Sequence, residues 1–162
     1  MRVLVTAASR YGATAGIAEA IGRRLEGEHL DVDVLPIEEV EDVGTYDSVV
    51  LGSGVYAGRW LRPARRFVEQ HATELASKQT WLFSSGPIGD PPKPEGDAAV
   101  KLGDMISRTG AHGHRVFAGK LDKRRMTFAD RAVVTAFRSP EGDFRDWEEI
   151  AEWAEDIAEA LT

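Results

Sequence analysis

The 162-residue chain contains no cysteine, which removes disulfides, thiolate metal sites, iron–sulfur clusters and a Cys nucleophile together. It has no apolar run near the roughly 20 residues that a membrane-spanning helix needs. Met1 to Ala8 reads as a strand, not as a charged and apolar targeting leader, so a cytoplasmic protein with no transmembrane segment is expected. Other absences narrow the chemistry. There is no Gly-x-Gly-x-x-Gly, which argues against a dinucleotide fingerprint, and no Gly-Lys-Ser/Thr of an ATP-type phosphate loop. No acids end the first strand, as a phospho-receiver domain would require, and the missing cysteine excludes a phosphatase loop. His112-x-His114 lacks acids at a ligand spacing and reads as a strand start. His71 reads as a core residue and His29 as a turn residue, so no metal site is expected.

Charge of one sign is confined to one place. Lys plus Arg is 20 and Asp plus Glu is 27, for a net charge of −7. From Arg138 to Thr162 there are nine acids and two bases, which is the whole imbalance; residues 1–137 are neutral. The acidic total argues against nucleic acid as a partner, although an acidic tail on a neutral body argues less strongly than a uniformly acidic chain.

At roughly 100–200 residues per domain, one domain over residues 1–162 is expected. Short β-branched runs alternate with segments of helical period. Strands are predicted at Val3–Val5, Val32–Leu35, Ser48–Leu51, Trp81–Ser84 and Arg115–Ala118. Ser48–Leu51 is apolar almost throughout, as in a strand covered on both faces. Helices are predicted from Thr14 to Leu25, from about Arg62 with Pro63 in its first turn, over Ala98–Ile106, and from about Phe144 to Leu161. The inner stripe of the last is Phe144, Trp147, Ile150, Ala151, Ala154, Ile157, Ala158 and Leu161. This alternation predicts an α/β fold with a doubly wound parallel sheet and helices on both faces. In such sheets ligands sit beyond the C-terminal strand ends, so the segments after the first, third and fourth strands carry the interest.

The first segment, Thr6-Ala-Ala-Ser-Arg-Tyr-Gly-Ala-Thr14, joins a strand to a helix and offers hydroxyls, a flexible Gly12 and helix N-terminal amides. It reads either as an anion site or as a plain capped turn. The second, Gly52-Ser-Gly-Val-Tyr-Ala-Gly-Arg-Trp60, interleaves aromatics with glycines. Its backbone can approach a planar ligand on which Tyr56 or Trp60 stacks, or both aromatics can simply cap the core. The third, Ser84-Ser-Gly-Pro-Ile-Gly-Asp90, again joins hydroxyls with glycines and reads otherwise as an ordinary turn cluster. Together they describe a phosphate cradle and two walls for a flat ring.

Ser9-Arg-Tyr-Gly-Ala-Thr14 resembles the phosphate-binding Ser-x-Thr-Gly-x-Thr of the flavodoxin family, with Tyr11 where that family has Thr. Val49–Trp60, Phe67–His71, Phe117–Leu121 and Asp146–Ile150 are similar to the branch of that family formed by the menaquinone-dependent protoporphyrinogen dehydrogenases. The resemblance spans nearly the whole chain and implies a five-stranded sheet of order 2-1-3-4-5. It also implies bound FMN, with its phosphate on Ser9, Arg10, Tyr11, Gly12, Ala13 and Thr14. The ring would lie between Ser53, Gly54, Val55, Tyr56, Ala57 and Gly58 on one side and Ser84, Ser85, Gly86, Pro87, Ile88 and Gly89 on the other. No side chain there is an obvious general base, so the redox chemistry would be the flavin's.

Gly119 to Pro140 is longer than a minimal connection of this fold. It begins with Lys120-Leu-Asp-Lys-Arg-Arg125 and continues through Met126, Phe128, Ala129, Ala132, Val133, Val134, Ala136 and Phe137. With Arg59, Arg62, Arg65 and Arg66 it suggests a basic rim, diluted by Asp122 and Asp130, that would meet an anionic substrate, a quinone or an acidic membrane surface. Three functions follow: an oxidoreductase with its own substrate or quinone, a flavodoxin-type electron carrier without one, and a non-redox module that has lost FMN.

Overall fold

The computed structural model describes residues 1–86, 102–136 and 141–162. A parallel sheet runs in the order β2 (Asp31–Pro36), β1 (Arg2–Ala8), β3 (Ser48–Tyr56), β5 (Gln79–Ser85), β6 (His114–Phe117). These are the five predicted strands in the expected spatial order. A two-residue strand, β4 (Arg59–Trp60), pairs antiparallel with the far end of β3. Two more short strands, β7 (Lys120–Leu121) and β8 (Gly142–Asp143), form a separate antiparallel ladder.

The alternation of side chains along each strand divides the core. On one face Val3, Val5, Ala7, Val50, Trp81 and Phe83 pack under α1 (Ala13–Gly27) and α5 (Trp147–Leu161). On the other, Leu4, Ala8, Val49, Leu51 and Leu82 meet α2 (Arg62–Ala76) and the five-residue α3 (Met105–Thr109). Helix α1 buries Ile17, Ala18, Ile21 and Leu25, all within the segment predicted from Thr14 to Leu25. Helix α2 begins with Pro63 in its first turn and buries Ala64, Phe67, Val68 and Leu75. His71 is half-buried there, beside the Phe67 ring and 3.4 Å from Glu74.

Two predicted helices require correction. The described part of the helix expected at Ala98–Ile106 is α3, shifted towards the C-terminus, and residues 98–101 lie outside the described residues. The last helix starts at Trp147 and not near Phe144, because the Asp146 carboxylate accepts the Glu148 and Glu149 N–H groups, each at 3.1 Å, and caps it. Trp147 is therefore not a core residue: it is 45% exposed, and the Arg145 guanidinium stacks on it 4.6 Å from the ring centre. The core tryptophan of this helix is Trp153, edge-on to Phe83 and Phe117 at 6.0 and 5.5 Å between ring centres. Such aromatic pairs add about 0.5–1.5 kcal/mol beyond their area burial.

The segment after β6 forms structure of its own. β7 and β8 clasp its base, with Lys120 opposite Asp143 and Leu121 opposite Gly142. Between them come a 3-10 turn at Lys123–Arg125 and the nine-residue helix α4 (Phe128–Ala136).

Candidate functional site at the strand ends

The three predicted segments leave the sheet from one row. Ala8 is in register with Ser53, and Ser53 with Ser84. The loops after β1, β3 and β5 are thus brought together at the C-terminal edge by backbone pairing alone.

The first loop ends in Gly12, whose φ of +89° is left-handed and suits glycine. Its N–H donates to Ser9 Oγ at 3.1 Å, which leaves the Ser9 hydroxyl proton free to donate elsewhere. The first bond inside α1 runs from the Gly16 N–H to the Gly12 carbonyl, so the amides of Ala13, Thr14 and Ala15 precede the helical ladder, and no side chain caps them. A Cβ on Gly12 would meet nothing within 4 Å. Thr14 is buried, and a Cβ on Gly54 would come within 3.2 Å of its hydroxyl. Loop one and loop two therefore touch at Thr14 and Gly54.

In the second loop, Ala57 and Gly58 both have positive φ, 52° and 78°, and form the two-residue turn between β3 and β4. The hairpin turns Trp60 inwards. It is 1% exposed, and its indole N–H donates to Ser84 Oγ at 2.7 Å. Of the two readings offered for Trp60, stacking on a ligand falls and capping the core holds, because a fully buried indole bonded to the core has no face to offer. Ser53 Oγ is likewise engaged, donating to the Gly54 carbonyl at 2.8 Å and accepting the Leu61 N–H at 3.0 Å. Ser84 Oγ also lies 2.7 Å from His114 Nε2. The side chains of Ser53 and Ser84 brace the strand ends. Gly54, Val55, Tyr56 and Gly58 are half-buried and Ala57 is exposed.

Of the third segment, Ser85 and Gly86 are buried. Gly86 donates its N–H to the Phe117 carbonyl at 2.8 Å. A Cβ on Gly119 would come within 3.3 Å of the Gly86 nitrogen and 3.2 Å of Ser85 Oγ, so the insert departs tight against this loop. Pro87, Ile88 and Gly89 lie outside the described residues.

The insert also returns to the first two loops. Asp130 of α4 is 3% exposed. Its carboxylate pairs with Arg10 Nε at 2.7 Å and accepts the hydroxyl proton of Tyr11, with the Tyr56 phenol close by. The Tyr11 oxygen accepts the Thr127 N–H at 3.3 Å, and Thr127 Oγ1 accepts the Asp130 N–H at 3.2 Å. The Arg10 guanidinium carbon lies 5.5 Å from the Tyr56 ring centre. Burial works to raise the Asp130 carboxyl, but the Tyr11 and Tyr56 hydrogen bonds and the Arg10 charge outweigh it and hold the group below the usual Asp range. Burial and then the bond to Asp130 push the Tyr56 phenol up.

Arg145, just past β8, makes a second tie. Its guanidinium is bidentate to Asp143, with Nε at 2.9 Å and Nη2 at 2.8 Å, which lowers the Asp143 carboxyl. Its Nη1 donates to the Ala13 carbonyl at 3.3 Å. Gly16 makes room for it, since a Cβ there would lie 2.7 Å from Nη1. Sequence reasoning missed Arg145 as a site neighbour and saw in Asp130 only a dilution of positive charge. The available signal was an adjacent acid and base, Asp130 and Arg131, in the otherwise apolar run Phe128-Ala-Asp-Arg-Ala-Val-Val134.

The residues fit a phosphate-bearing ligand at loop one. The donor set consists of uncapped helix amides and the Ser9 hydroxyl, and the space above Gly12 is open. The Tyr11 phenol belongs to a different contact.

A family profile described as "Flavodoxin domain" matches residues 4–147. No curated protein matches the sequence. Among solved structures, a flavodoxin from the domain Archaea is similar over 99% of both chains, at 22% identity and a TM-score of 0.66. Oxidised flavodoxin 1 from Bacillus cereus is similar over all of both chains, at 15% identity and a TM-score of 0.68. The rubredoxin oxygen:oxidoreductase of Desulfovibrio gigas is similar over 99% of this chain and 36% of that one, at 15% identity and a TM-score of 0.67. Among the described residues no helix is long and apolar enough to cross a membrane. With three-quarters and more of its length matched by the family profile, the chain belongs to the flavodoxin domain family.

Proposed function

We propose that the chain binds FMN at the C-terminal edge of the sheet and acts as an oxidoreductase that passes electrons or hydrogen between a small substrate or quinone and another carrier. The observation that carries this reading is the uncapped start of α1 beneath open space at Gly12, in register with the two glycine-containing segments after β3 and β5. The Ser9 hydroxyl and the amides of Ala13 and Thr14 would hold the phosphate. Gly54 to Gly58 and Ser85 to Gly89 would flank the ring. When bound, the flavin supplies one- and two-electron transfer, and the protein's part is to position it and set its potential. Tyr56 ends β3 opposite Arg59 and has the Arg10 guanidinium carbon 5.5 Å from its ring centre, so strand pairing and the first loop both position it. The buried Trp60, Ser84 and His114 bonds stiffen the strand ends beneath the site.

The partner reached across the insert is proposed to be anionic, such as a carboxylate-bearing porphyrin, or a quinone at an acidic lipid surface. Lys120, Lys123, Arg124 and Arg131 line an open cleft of about 820 Å³ beside Asp122, Glu141 and Asp143. Asp122 is tied to Arg124 and Asp143 to Arg145, and both carboxyls are lowered by those contacts. Protoporphyrinogen dehydrogenation rests on the likeness of Val49–Trp60 and the shorter matching stretches. A carrier without its own substrate is the second reading, supported by end-to-end similarity to flavodoxins.

An absorbance spectrum with FMN, followed by anaerobic reductive titration, tests the cofactor. Flavin bands that report a bound, reducible chromophore are expected, and a colourless protein that ignores added FMN overturns the reading. Deleting residues 122–140 should abolish a substrate reaction and spare carrier activity. Added salt should slow reduction by anionic partners; no change, or faster reaction, overturns the anionic partner.

A further inference from the structure

Helix α4 is attached in an unusual way. A surface helix normally buries an apolar stripe, yet the buried residue of α4 is the carboxylate Asp130, while Phe128 is 88% exposed. Nine residues are too few for a helix to persist alone in water, where fewer than about 12–15 are marginal. What holds α4 in place is therefore its tertiary attachment, and that attachment reaches the loops proposed to hold the cofactor. Arg10 and Tyr11 come from the loop after β1, Tyr56 from the end of β3, and Thr127 and Asp130 from the insert.

Tyr11 sharpens the point. Its hydroxyl accepts from the Thr127 N–H and donates to Asp130, so it is spent on the N-terminal turn of α4. The neighbouring amides of Ala13 and Thr14 remain uncapped. The segment from Ser9 to Thr14 thus leaves backbone amides uncapped while its longest side chains, Arg10 and Tyr11, reach the insert. A loop shared in this way cannot be ordered by one contact without changing the free energy of the other, and the coupling acts equally in both directions.

We propose that Asp130 is a positioning residue that couples the insert to the cofactor loops, so that FMN binding and docking of α4 stabilise each other. This rests on the FMN reading above. It assigns to the insert a docked state favoured by cofactor occupancy, in which the exposed Phe128 and the neighbouring Arg131 are held in a fixed position towards a partner.

Amide hydrogen exchange of the full chain, resolved over residues 127–136, tests it, with and without FMN, in the parent protein, Asp130→Asn and Tyr11→Phe. In the parent, FMN should slow exchange in α4 about tenfold. Without FMN, each variant should exchange α4 about tenfold faster, with β1 and β3 amides unchanged, which shows that the sheet is folded. In Asp130→Asn the FMN-dependent slowing of α4 should disappear even at saturating flavin. A merely structural acid would leave that dependence in place. Flavin uptake with no change in α4 exchange overturns the coupling and leaves the cofactor reading standing. No uptake of flavin by the parent overturns both. Unchanged α4 exchange in the variants without FMN removes Asp130 as the clamp.

Discussion

Phe83 and Phe128 show how differently two regions of this chain are held. Phe83 is fully buried at the centre of β5, between Phe117 and the Trp153 indole. Phe128 opens α4 with 88% of its surface exposed, two residues from a buried carboxylate. Around Phe83, non-directional apolar burial fixes the strand ends and hence the row Ala8, Ser53, Ser84 from which three loops depart. Around Phe128, a handful of directional bonds to Asp130 and a short ladder at β7 and β8 fix the position. The first arrangement resists change because many contacts must be lost together. The second depends on a few groups, and a ligand at the same loops can bias it.

The sharpest way to break this contrast is to empty the core side of it. Phe83→Ala should cost about 3–5 kcal/mol, as for large aromatics removed from packed interiors, read as a lower midpoint in urea unfolding. A loss below about 1 kcal/mol would mean that the aromatic cluster does not carry the sheet. Overfilling the same place is expected to cost less. A Cβ at Gly52 would fall within the Phe83 ring, so Gly52→Ala should lose about 1–3 kcal/mol as that ring is displaced. An Ala variant as stable as the parent would show that Phe83 has room to move.

On the insert side the decisive variable is pH. The Asp130 carboxyl is depressed in the folded protein, so its contribution is fully present above the unfolded value of about 3.9. It is lost as pH falls from there through the folded value. Exchange protection of α4 should therefore hold from neutral pH to about 5 and weaken below about 4, ahead of β1 and β3. This acid limb should be missing in Asp130→Asn. If α4 and the sheet lose protection together, the two regions form one cooperative unit and the contrast fails.

Much of the first region was legible in the sequence. The five strands, the positions of α1 and α2, and the meeting of the three loops follow from apolar period and from the topology of parallel sheets, and the strand order follows from the family resemblance. The errors share a cause. Local spacing puts Trp147 on the inner stripe, leaves Trp153 off it and leaves Trp60 open, because it does not report how a turn or cap rotates a side chain. The positive φ values at Ala57 and Gly58 send Trp60 inwards. The Asp146 cap starts α5 late, leaving Trp147 outside and placing Trp153 against Phe83. The insert was legible only as length and charge. Its structure depends on Asp130 meeting Arg10, Tyr11 and Tyr56, residues more than 70 positions away in the chain, and no periodicity encodes such a meeting.

The smallest expected effect isolates what does not hold the insert. An apolar side chain that is already exposed has almost no burial to lose, and surface substitutions away from caps and networks usually stay within about 0.5 kcal/mol. Phe128→Ser should accordingly leave the urea midpoint of the protein unchanged and leave exchange in residues 130–136 as it was. Ser is also at least as good as Phe near a helix start, so the change adds no local penalty. A loss of more than about 1 kcal/mol, or faster exchange through α4, would mean that the ring packs on something in solution. The insert would then be held by apolar contact after all, and Phe83 and Phe128 would differ in degree instead of in kind.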